Sequence, residues 1–492
     1  MSLKGLAVVA LLTAVLLLQS AGAAETAVRE APTVVKARLA VDASCSGVMT
    51  YVVDAEEAKR AGLWRLWLLL PKEPLRWSVE PHAVHEVSDL PEGSEGRRVY
   101  SNVTFDLSSI EGLLTVSFRM DHACLVNGDR GLLLTPLVSY GPPIRGELEI
   151  TLEGLVEGVR SVEPWSPHVE VHNRSLSVRR ELPLTVNRVA IDFRPVEEPF
   201  YLVSSRGFSV KTHQRYAQVA AAVIDALANA SDYLKAVFGE DVPDVTVEFF
   251  LPRDYRSGPE GFAPVPSGGS RVIGLNLILL RRPQGYLEVI AVHELVHHYL
   301  FEVGVGAGAT WFHEGLAVYF SLELGERLRL EGARVMRELI MQEASRSRQI
   351  RLSEWKPGES RDSDWYATAF ALIEGLFRLD PAGMSKALLS LRDERRWISS
   401  GEAAAEYLAK HLNEEALGLL REAGLLPKVS RHSDDGSTAS ATTVTETRGD
   451  ATTDSDNHDR SGTIAIDEEL LLISLATAAI VVSLLAIRDA KS

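Results

Sequence analysis

The residues best suited to chemistry lie in the segment Ala291–Tyr299, which reads AVHELVHHY. His293 and His297 are four positions apart, so on an α-helix both imidazoles would lie on one face and could bind one zinc ion. Glu294 would lie beside them, where its carboxylate could take a proton from a water that the metal activates. The segment therefore predicts a helix that carries two zinc ligands and a general base.

A second segment, TWFHEGLAVYF at positions 310–320, predicts another helix with Thr310 as its N-cap. Glu314 follows His297 by 17 positions (314 − 297), and three glycines in between could reverse the chain. Two antiparallel helices would then direct Glu314, His293 and His297 at one metal ion. Two histidines, a carboxylate and an open fourth position make a catalytic zinc set rather than a structural one. The three glycines are Gly304, Gly306 and Gly308.

The motifs HELVHH and WFHEGLAVYF resemble the gluzincin metallopeptidases, the group that contains thermolysin and the aminopeptidase N relatives. The resemblance covers about residues 200–425 and is sharpest over 286–320. It implies a mixed sheet with an edge strand along the cleft, for which Arg271–Leu280 is the candidate, and a helical lobe. It also implies that Glu314, in a Trp-x-x-Glu-Gly-like helix, is the third zinc ligand.

The same resemblance implies a residue that stabilises an oxyanion, and Tyr366, in the segment DWYATAF, has a position similar to the tyrosine of the aminopeptidase-like branch. A phenol can donate a hydrogen bond to a developing alkoxide. The alternative is an aromatic side chain that only packs at a helix start. His298 and His313 flank the motifs, but each points about 100° away from its neighbour around a helix, so neither is expected to be a ligand.

Two departures from the group leave the mode of cleavage open. The interval from His297 to Glu314 is two residues shorter than in the aminopeptidases, and the chain has no Gly-x-Met-Glu-Asn motif, with which they hold a free amine. The expected activity is therefore hydrolysis of peptide bonds in peptides or proteins, as an endopeptidase or as an aminopeptidase. The alternative from another class is a surface adhesion or scaffold protein with a degenerate, zinc-binding but inactive peptidase fold.

The pattern of the whole chain predicts an α+β protein with several parts. Residues 25–196 contain short β-rich runs typical of a sandwich-like all-β domain. Residues 197–428 should form the peptidase domain, a mixed sheet followed by helices. In the first part, strands are predicted at Val34–Val41, Leu63–Leu70, Leu113–Met120, Glu147–Leu152 and Arg188–Phe193. In the second, a helix is predicted at His213–Val237, strands at Val245–Leu251 and Arg271–Leu280, and a loop at Gly258–Gly269.

The two ends predict export and a membrane anchor. Residues 1–24 resemble a signal peptide, with an apolar stretch followed by Ala21-Gly22-Ala23. Residues 429–466 are rich in Ser, Thr and Asp, as in a disordered stalk. Within residues 467–492, Leu470–Ile487 is an uncharged stretch long enough to be a transmembrane helix. Cations follow it, so the catalytic domain is expected outside the cell, single-pass at the cell membrane.

Charge and cysteine content add two further expectations. The net charge of −16 excludes a nucleic-acid surface, since nothing would balance phosphate repulsion. The chain has two cysteines, Cys45 and Cys124. In an exported protein such a pair predicts one disulfide, and two buried free thiols are the alternative. The oligomeric state is left open.

Overall fold

The computed structural model describes residues 33–427 apart from short gaps, which are 73–76, 91–98, 142–144, 165, 167, 183–187, 241, 243, 254–258, 265–270, 347–349, 356–361 and 395–396. The predicted signal peptide (1–24), stalk (429–466) and membrane helix (467–492) lie outside the described residues. Among the residues that are described, no helix combines the length and the apolar composition needed to cross a bilayer.

The N-terminal part, up to Pro195, is rich in strands. These are β1 (Thr33–Val41), β2 (Gly47–Asp54), β3 (Arg65–Pro71), β4 (Trp77–Glu80), β5 (His85–Asp89), β6 (Tyr100–Asp106), β7 (Leu113–Met120), β8 (Cys124–Asn127), β9 (Arg130–Leu134), β10 (Tyr140–Gly141), β11 (Arg145–Leu152), β12 (Val156–Glu163), β13 (His168–His172), β14 (Ser175–Leu182) and β15 (Ala190–Pro195), with one short helix, α1 (Ala55–Arg60). The five strands predicted in this part are confirmed, with ends shifted by up to two residues.

These strands form three sheets in the described part of the chain, with the orders β13-β14-β11-β1-β2-β7-β4, β10-β3-β6-β5 and β12-β15-β9-β8. Strand β1 illustrates why they form, because its residues alternate between buried and exposed from Val35 to Val41. One apolar core contains side chains from all three sheets, among them Leu39, Phe105 and Ile191. The sheet-rich region expected from the sequence is confirmed.

The C-terminal part combines a second kind of sheet with helices. Its strands are β16 (Phe200–Ser205), β17 (Phe208–His213), β18 (Val245–Phe250), β19 (Gly261–Phe262) and β20 (Arg271–Asn276). Its α-helices are α2 (Ala217–Phe238), α3 (Tyr286–Glu302), α4 (Thr310–Arg327), α5 (Glu331–Arg346), α6 (Asp362–Leu379), α7 (Pro381–Glu394), α8 (Gly401–Leu408) and α9 (Glu414–Glu422). The chain is thus α+β, with sheets first and a helical lobe after them.

The five-stranded sheet has the order β16-β17-β18-β20-β19 and corrects the expected edge strand. Strand β20 is paired on both sides, parallel to β18 and antiparallel to β19, so the edge beside it in the described part of the sheet is the two-residue β19. The prediction of Arg271–Leu280 as the edge strand was therefore wrong. Strand β20 also ends early, at Asn276. The Asn276 side chain accepts a hydrogen bond from Ile278 N, and a 3-10 turn begins there. The segment predicted as a loop, Gly258–Gly269, contains the true edge.

The first long helix begins later than the sequence predicted. His213 is the last residue of β17, a 3-10 turn occupies Gln214–Tyr216, and α2 begins at Ala217. It ends at Phe238, where Gly239 takes the left-handed conformation with φ of 72°. The prediction of a helix from His213 was wrong because Phe208–His213 alternates between buried and exposed residues over most of its length, as a strand does.

Two central helices, α3 and α4, are joined by the seven residues 303–309. Helix α3 is buried on most of its sides, which is why its apolar residues show no single stripe. In the connection, Gly304 has a φ of 86°, and a Cβ at Gly308 would lie 2.2 Å from the carbonyl oxygen of Ser399. The expected glycine-rich connection is confirmed. The expected N-cap is wrong, since Ala309 occupies that position and Thr310 Oγ1 donates to the carbonyl of Ala307 at 3.2 Å.

The disulfide between Cys45 and Cys124 is formed, with a Cα–Cα distance of 4.9 Å. It lies close to the C-terminal part of the chain, because the side chain of Arg215 contacts Cys45 Sγ at 3.2 Å. The main chain beyond Cys124 continues the contact, since Val126 N donates to Tyr216 Oη at 2.8 Å and Gly128 N donates to His213 Nε2 at 3.0 Å. These hydrogen bonds fix the sheet-rich part against the start of α2.

Candidate metal centre

The structure brings three predicted ligands together from two helices. His293 and His297 lie on α3, and Glu314 lies on the first turns of α4. Glu314 Oε2 is 3.4 Å from His293 Nε2 and 3.5 Å from His297 Nε2. The two Nε2 atoms are 3.1 Å apart. One donor atom from each residue therefore lies within 4.8 Å of the others, as a metal site requires.

The donor set and its spacing fit a zinc ion. A tetrahedral zinc with bonds of about 2.0–2.1 Å places neighbouring ligand atoms about 3.3–3.4 Å apart, close to the separations of these three atoms. Oε2 of Glu314 is buried and has no hydrogen-bond partner among the described residues. Burying a carboxylate oxygen without a hydrogen-bond partner destabilises the folded state. A cation bound between Glu314, His293 and His297 would satisfy that oxygen.

The charges of these three residues are strongly coupled. Burial raises the pKa of Glu314, but His297 and His293 outweigh it and hold that pKa at about 2. Burial lowers the pKa of His293, yet Glu314, whose Oε2 lies 3.4 Å from His293 Nε2, and other nearby carboxylates bring it above the ordinary value. Burial also dominates at His297, whose pKa lies well below the ordinary value. Glu314 therefore stays ionised and His297 stays neutral, as metal ligands do, whereas the raised pKa of His293 favours its protonated form beside Glu314.

Glu294 lies next to the cluster in a nearly dry position, with 6% of its surface exposed. Burial raises its pKa to about 7, a shift that His293 partly opposes and Glu314 adds to. Its carboxylate contacts the edge strand, because a Cβ at Gly261 would be 2.6 Å from Glu294 Oε1. A carboxylate poised near neutral pH suits a general base and acid.

The cleft in front of the cluster has a volume of about 220 Å³. Edge strand β19 contributes Gly261 and Phe262, the end of α3 contributes Phe301, and α6 contributes Tyr366. Tyr366 is the fifth residue of α6, partly exposed, with its ring packed edge-on against Trp355 at 5.2 Å. The tyrosine predicted to act on an oxyanion thus lines the same cleft as the metal cluster.

Two histidines that were not expected to be ligands have other contacts. His298 Nε2 is 3.1 Å from the carbonyl oxygen of Val272, on the side of α3 that faces the sheet. His313 lies behind His297, with the two Nδ1 atoms 2.8 Å apart and the ring centroids 4.6 Å apart in nearly parallel planes. Sequence reasoning missed this second contact, because the helical spacing within each segment says nothing about which residues of two helices meet.

No family model and no curated protein matches the chain. Solved structures that are similar include yeast LTA4 hydrolase in complex with bestatin, at 13% identity and a TM-score of 0.30, covering 79% of this chain and 64% of that chain. Native yeast LTA4 hydrolase is similar at 11% identity and a TM-score of 0.33, covering 79% and 66%. An M1 zinc metallopeptidase from Deinococcus radiodurans is similar at 14% identity and a TM-score of 0.31, covering 80% and 94%.

These three similar structures are thus two of LTA4 hydrolase and one of an M1 zinc metallopeptidase. The chain spans just under two thirds of the length of the yeast LTA4 hydrolase chains that it matches.

Proposed function

We propose that this protein is a zinc-dependent peptidase that hydrolyses peptide bonds, with His293, His297 and Glu314 as the zinc ligands. The observation that carries the proposal is the convergence of these three donor atoms within 4.8 Å in a cleft that also contains the carboxylate of Glu294. A structural zinc site would be closed by a fourth protein ligand, whereas this cluster has three and faces the cleft, within the described residues.

The proposed mechanism assigns the proton transfers to Glu294. When bound, zinc supplies Lewis acidity that activates a water and polarises the substrate carbonyl. Glu294 takes the proton of the attacking water and then gives it to the leaving amine, since its carboxylate lines the same cleft as the ligands. Tyr366 donates a hydrogen bond to the oxyanion that develops on the substrate.

The edge of the five-stranded sheet gives a peptide a place to bind. Strand β19 lines the cleft and pairs with β20 on one side only in the described part of the sheet. An extended peptide can add to such an edge through main-chain hydrogen bonds. This supports a peptide or protein substrate and leaves endopeptidase and aminopeptidase activity to be separated by experiment.

We also propose that the peptidase works outside the cell, anchored by the segment 470–487. The sequence of the two termini carries this proposal. The Cys45–Cys124 disulfide supports it, because disulfides form and persist in oxidising compartments.

The test incubates the purified full-length protein, loaded with zinc, with a mixed peptide library that is analysed by mass spectrometry. The matched control is Glu294→Gln, which keeps the shape of the side chain and its distance from the ligands but cannot accept the proton. Internal cuts by the wild type alone would identify an endopeptidase, and stepwise loss of N-terminal residues would identify an aminopeptidase. Equal cleavage by both proteins would exclude Glu294 as the base.

A zinc measurement separates the metal site from the chemistry. Wild type and Glu294→Gln should each bind one zinc ion per chain, whereas Glu314→Gln should lose most of that zinc, since one of three protein ligands becomes a neutral amide. Zinc binding without cleavage of any peptide would contradict the peptidase proposal and favour a zinc-binding surface protein. Zinc binding that survives in Glu314→Gln would overturn the ligand assignment.

A further inference from the structure

His313 is a buried polar residue that the proposed mechanism does not use. It keeps 3% of its surface exposed and lies on α4, directly before the ligand Glu314. Its ring is nearly parallel to that of His297, with an interplanar angle of 12° and a centroid distance of 4.6 Å. The ring of Phe301 lies 4.8 Å away. His313 therefore touches a proposed ligand and lines the same cleft, but it is not one of the three clustered donors.

The contact between the two histidines constrains the protons of both. His297 Nε2 faces His293 and Glu314, so this nitrogen must be free of a proton to bind a metal ion. The proton of neutral His297 must then lie on Nδ1, which is 2.8 Å from Nδ1 of His313. In that arrangement His297 donates and His313 accepts, and the proton of His313 lies on its Nε2.

The opposite arrangement would prevent metal binding. If His313 donated from Nδ1, His297 would accept there and carry its proton on Nε2, the atom that faces the other ligands. The histidine at position 313 carries a cost to stability, because its Nε2 is buried with no hydrogen-bond partner among the described residues. An apolar ring of similar size would remove that unpaired atom, but it would leave Nδ1 of His297 without its acceptor.

We propose that His313 is a positioning residue, which accepts the Nδ1 proton of His297 and thereby sets the tautomer and the ring orientation in which His297 binds zinc. The inference rests on the proposed function, in that it takes His297 as a zinc ligand. Ligand histidines generally depend on such a partner for their second nitrogen, and its loss typically weakens metal binding by about 10- to 100-fold.

The test compares His313→Phe with His313→Asn in the full-length protein. Phenylalanine keeps a ring of similar size and has no acceptor, whereas asparagine has an oxygen at the same distance from Cβ as Nδ1 of histidine. The dissociation constant for zinc is measured by competition with a chelator. His313→Phe should raise it about 10- to 100-fold, and His313→Asn should stay within about fivefold of the wild type, as expected if the acceptor at that position is what matters.

The melting temperature of the zinc-free proteins separates positioning from folding. We expect zinc-free His313→Phe to melt near the wild-type temperature, since the unpaired Nε2 of His313 is removed while Nδ1 of His297 loses its partner. His298→Gln is the control, because it replaces a buried histidine of α3 whose Nε2 lies 3.1 Å from the Val272 carbonyl oxygen and not against a proposed ligand. This variant should bind zinc with unchanged affinity.

The outcomes distinguish this inference from the proposed function. If the wild type binds no zinc, the proposed function fails and this inference with it. If the wild type binds zinc and His313→Phe binds it equally well, the positioning role alone is overturned. Equal weakening in His313→Phe and His313→Asn would also overturn it, because asparagine retains an acceptor. Weak binding by His313→Phe with binding retained in His313→Asn supports it, whether or not any peptide is cleaved.

Discussion

Gly261 lies directly against the carboxylate of Glu294. A Cβ at residue 261 would be 2.6 Å from Glu294 Oε1 and 2.9 Å from Ile290 Cγ2, closer than such atoms approach. Gly261 belongs to the edge strand β19, and Glu294 belongs to the helix that carries two proposed zinc ligands. The absence of a side chain at 261 therefore decides how closely the edge of the sheet approaches the proposed general base.

Gly261→Ala should impair catalysis more than folding. The added methyl group would push the Glu294 carboxylate or the edge strand away, and a displacement of about 1 Å at a reacting group can reduce the rate about 100-fold. We expect kcat to fall by that order while zinc content stays at one ion per chain. Steady-state kinetics on a peptide found in the library experiment, together with zinc analysis, provides the measurement.

The control for that substitution is Gly158→Ala, in strand β12. A Cβ at residue 158 would have no neighbour within 4 Å, so the same change of residue type is made without a clash. Its kcat should equal that of the wild type. An unchanged kcat in Gly261→Ala would mean that the contact between Gly261 and Glu294 has no role in placing the base.

Tyr366→Phe tests the proposed oxyanion donor. Loss of one hydrogen-bond donor to an oxyanion typically lowers kcat by about 100- to 1,000-fold. Since the hydrogen bond would form mainly in the transition state, we expect KM to change little. Tyr319→Phe is the control, because Tyr319 lies on α4 with its ring stacked on Phe377 at 4.4 Å, away from the cleft-lining residues. A kcat near the wild-type value in Tyr366→Phe would mean that Tyr366 has no catalytic role and only packs against Trp355.

Stability should depend on pH through His213, at the contact between the sheet-rich and C-terminal parts. Gly128 N donates to His213 Nε2, which requires the neutral imidazole, and the ring stacks on Phe200 at 4.2 Å. Burial lowers its pKa from the ordinary 6.5, opposed in part by Glu198, while Arg215 lowers it further. The stabilisation is therefore fully present above about pH 6.5 and is lost as the pH falls from there through the lowered pKa of the folded state.

The measurement compares melting temperatures of wild type and His213→Gln from pH 7.5 to pH 5. At pH 7.5 the wild type should melt higher, since the substitution disturbs one buried hydrogen bond worth about 1 kcal/mol. Towards pH 5 the difference in melting temperature should shrink. Protonation of His213 is opposed by the fold and therefore destabilises the wild type, whereas glutamine at this position does not titrate. Other histidines contribute equally to both proteins. A difference that stays constant with pH would rule out His213 as the titrating group.

The sequence was sufficient for the local part of the site. Spacing of four residues on one helix places His293 and His297 together whatever surrounds them, and the glycines before Thr310 allow the chain to turn. The sequence did not predict the edge strand of the sheet, because β19 has two residues and such a short strand shows no alternating pattern. The start of α2 was misplaced because His213 ends strand β17 and Gln214–Tyr216 form a 3-10 turn, which local sequence does not separate from the first turn of an α-helix.

The sequence by itself determined which residues of this protein can act on a metal ion, since motif spacing fixes side-chain direction within one helix. Tertiary structure alone decided the contacts between elements: Gly261 of the edge strand against Glu294, and His313 of α4 against His297 of α3. Those contacts depend on how sheets and helices pack, which involves side chains distant in sequence. The shape of the site and the partner of each ligand therefore follow from packing, whereas its chemistry follows from residue type and spacing.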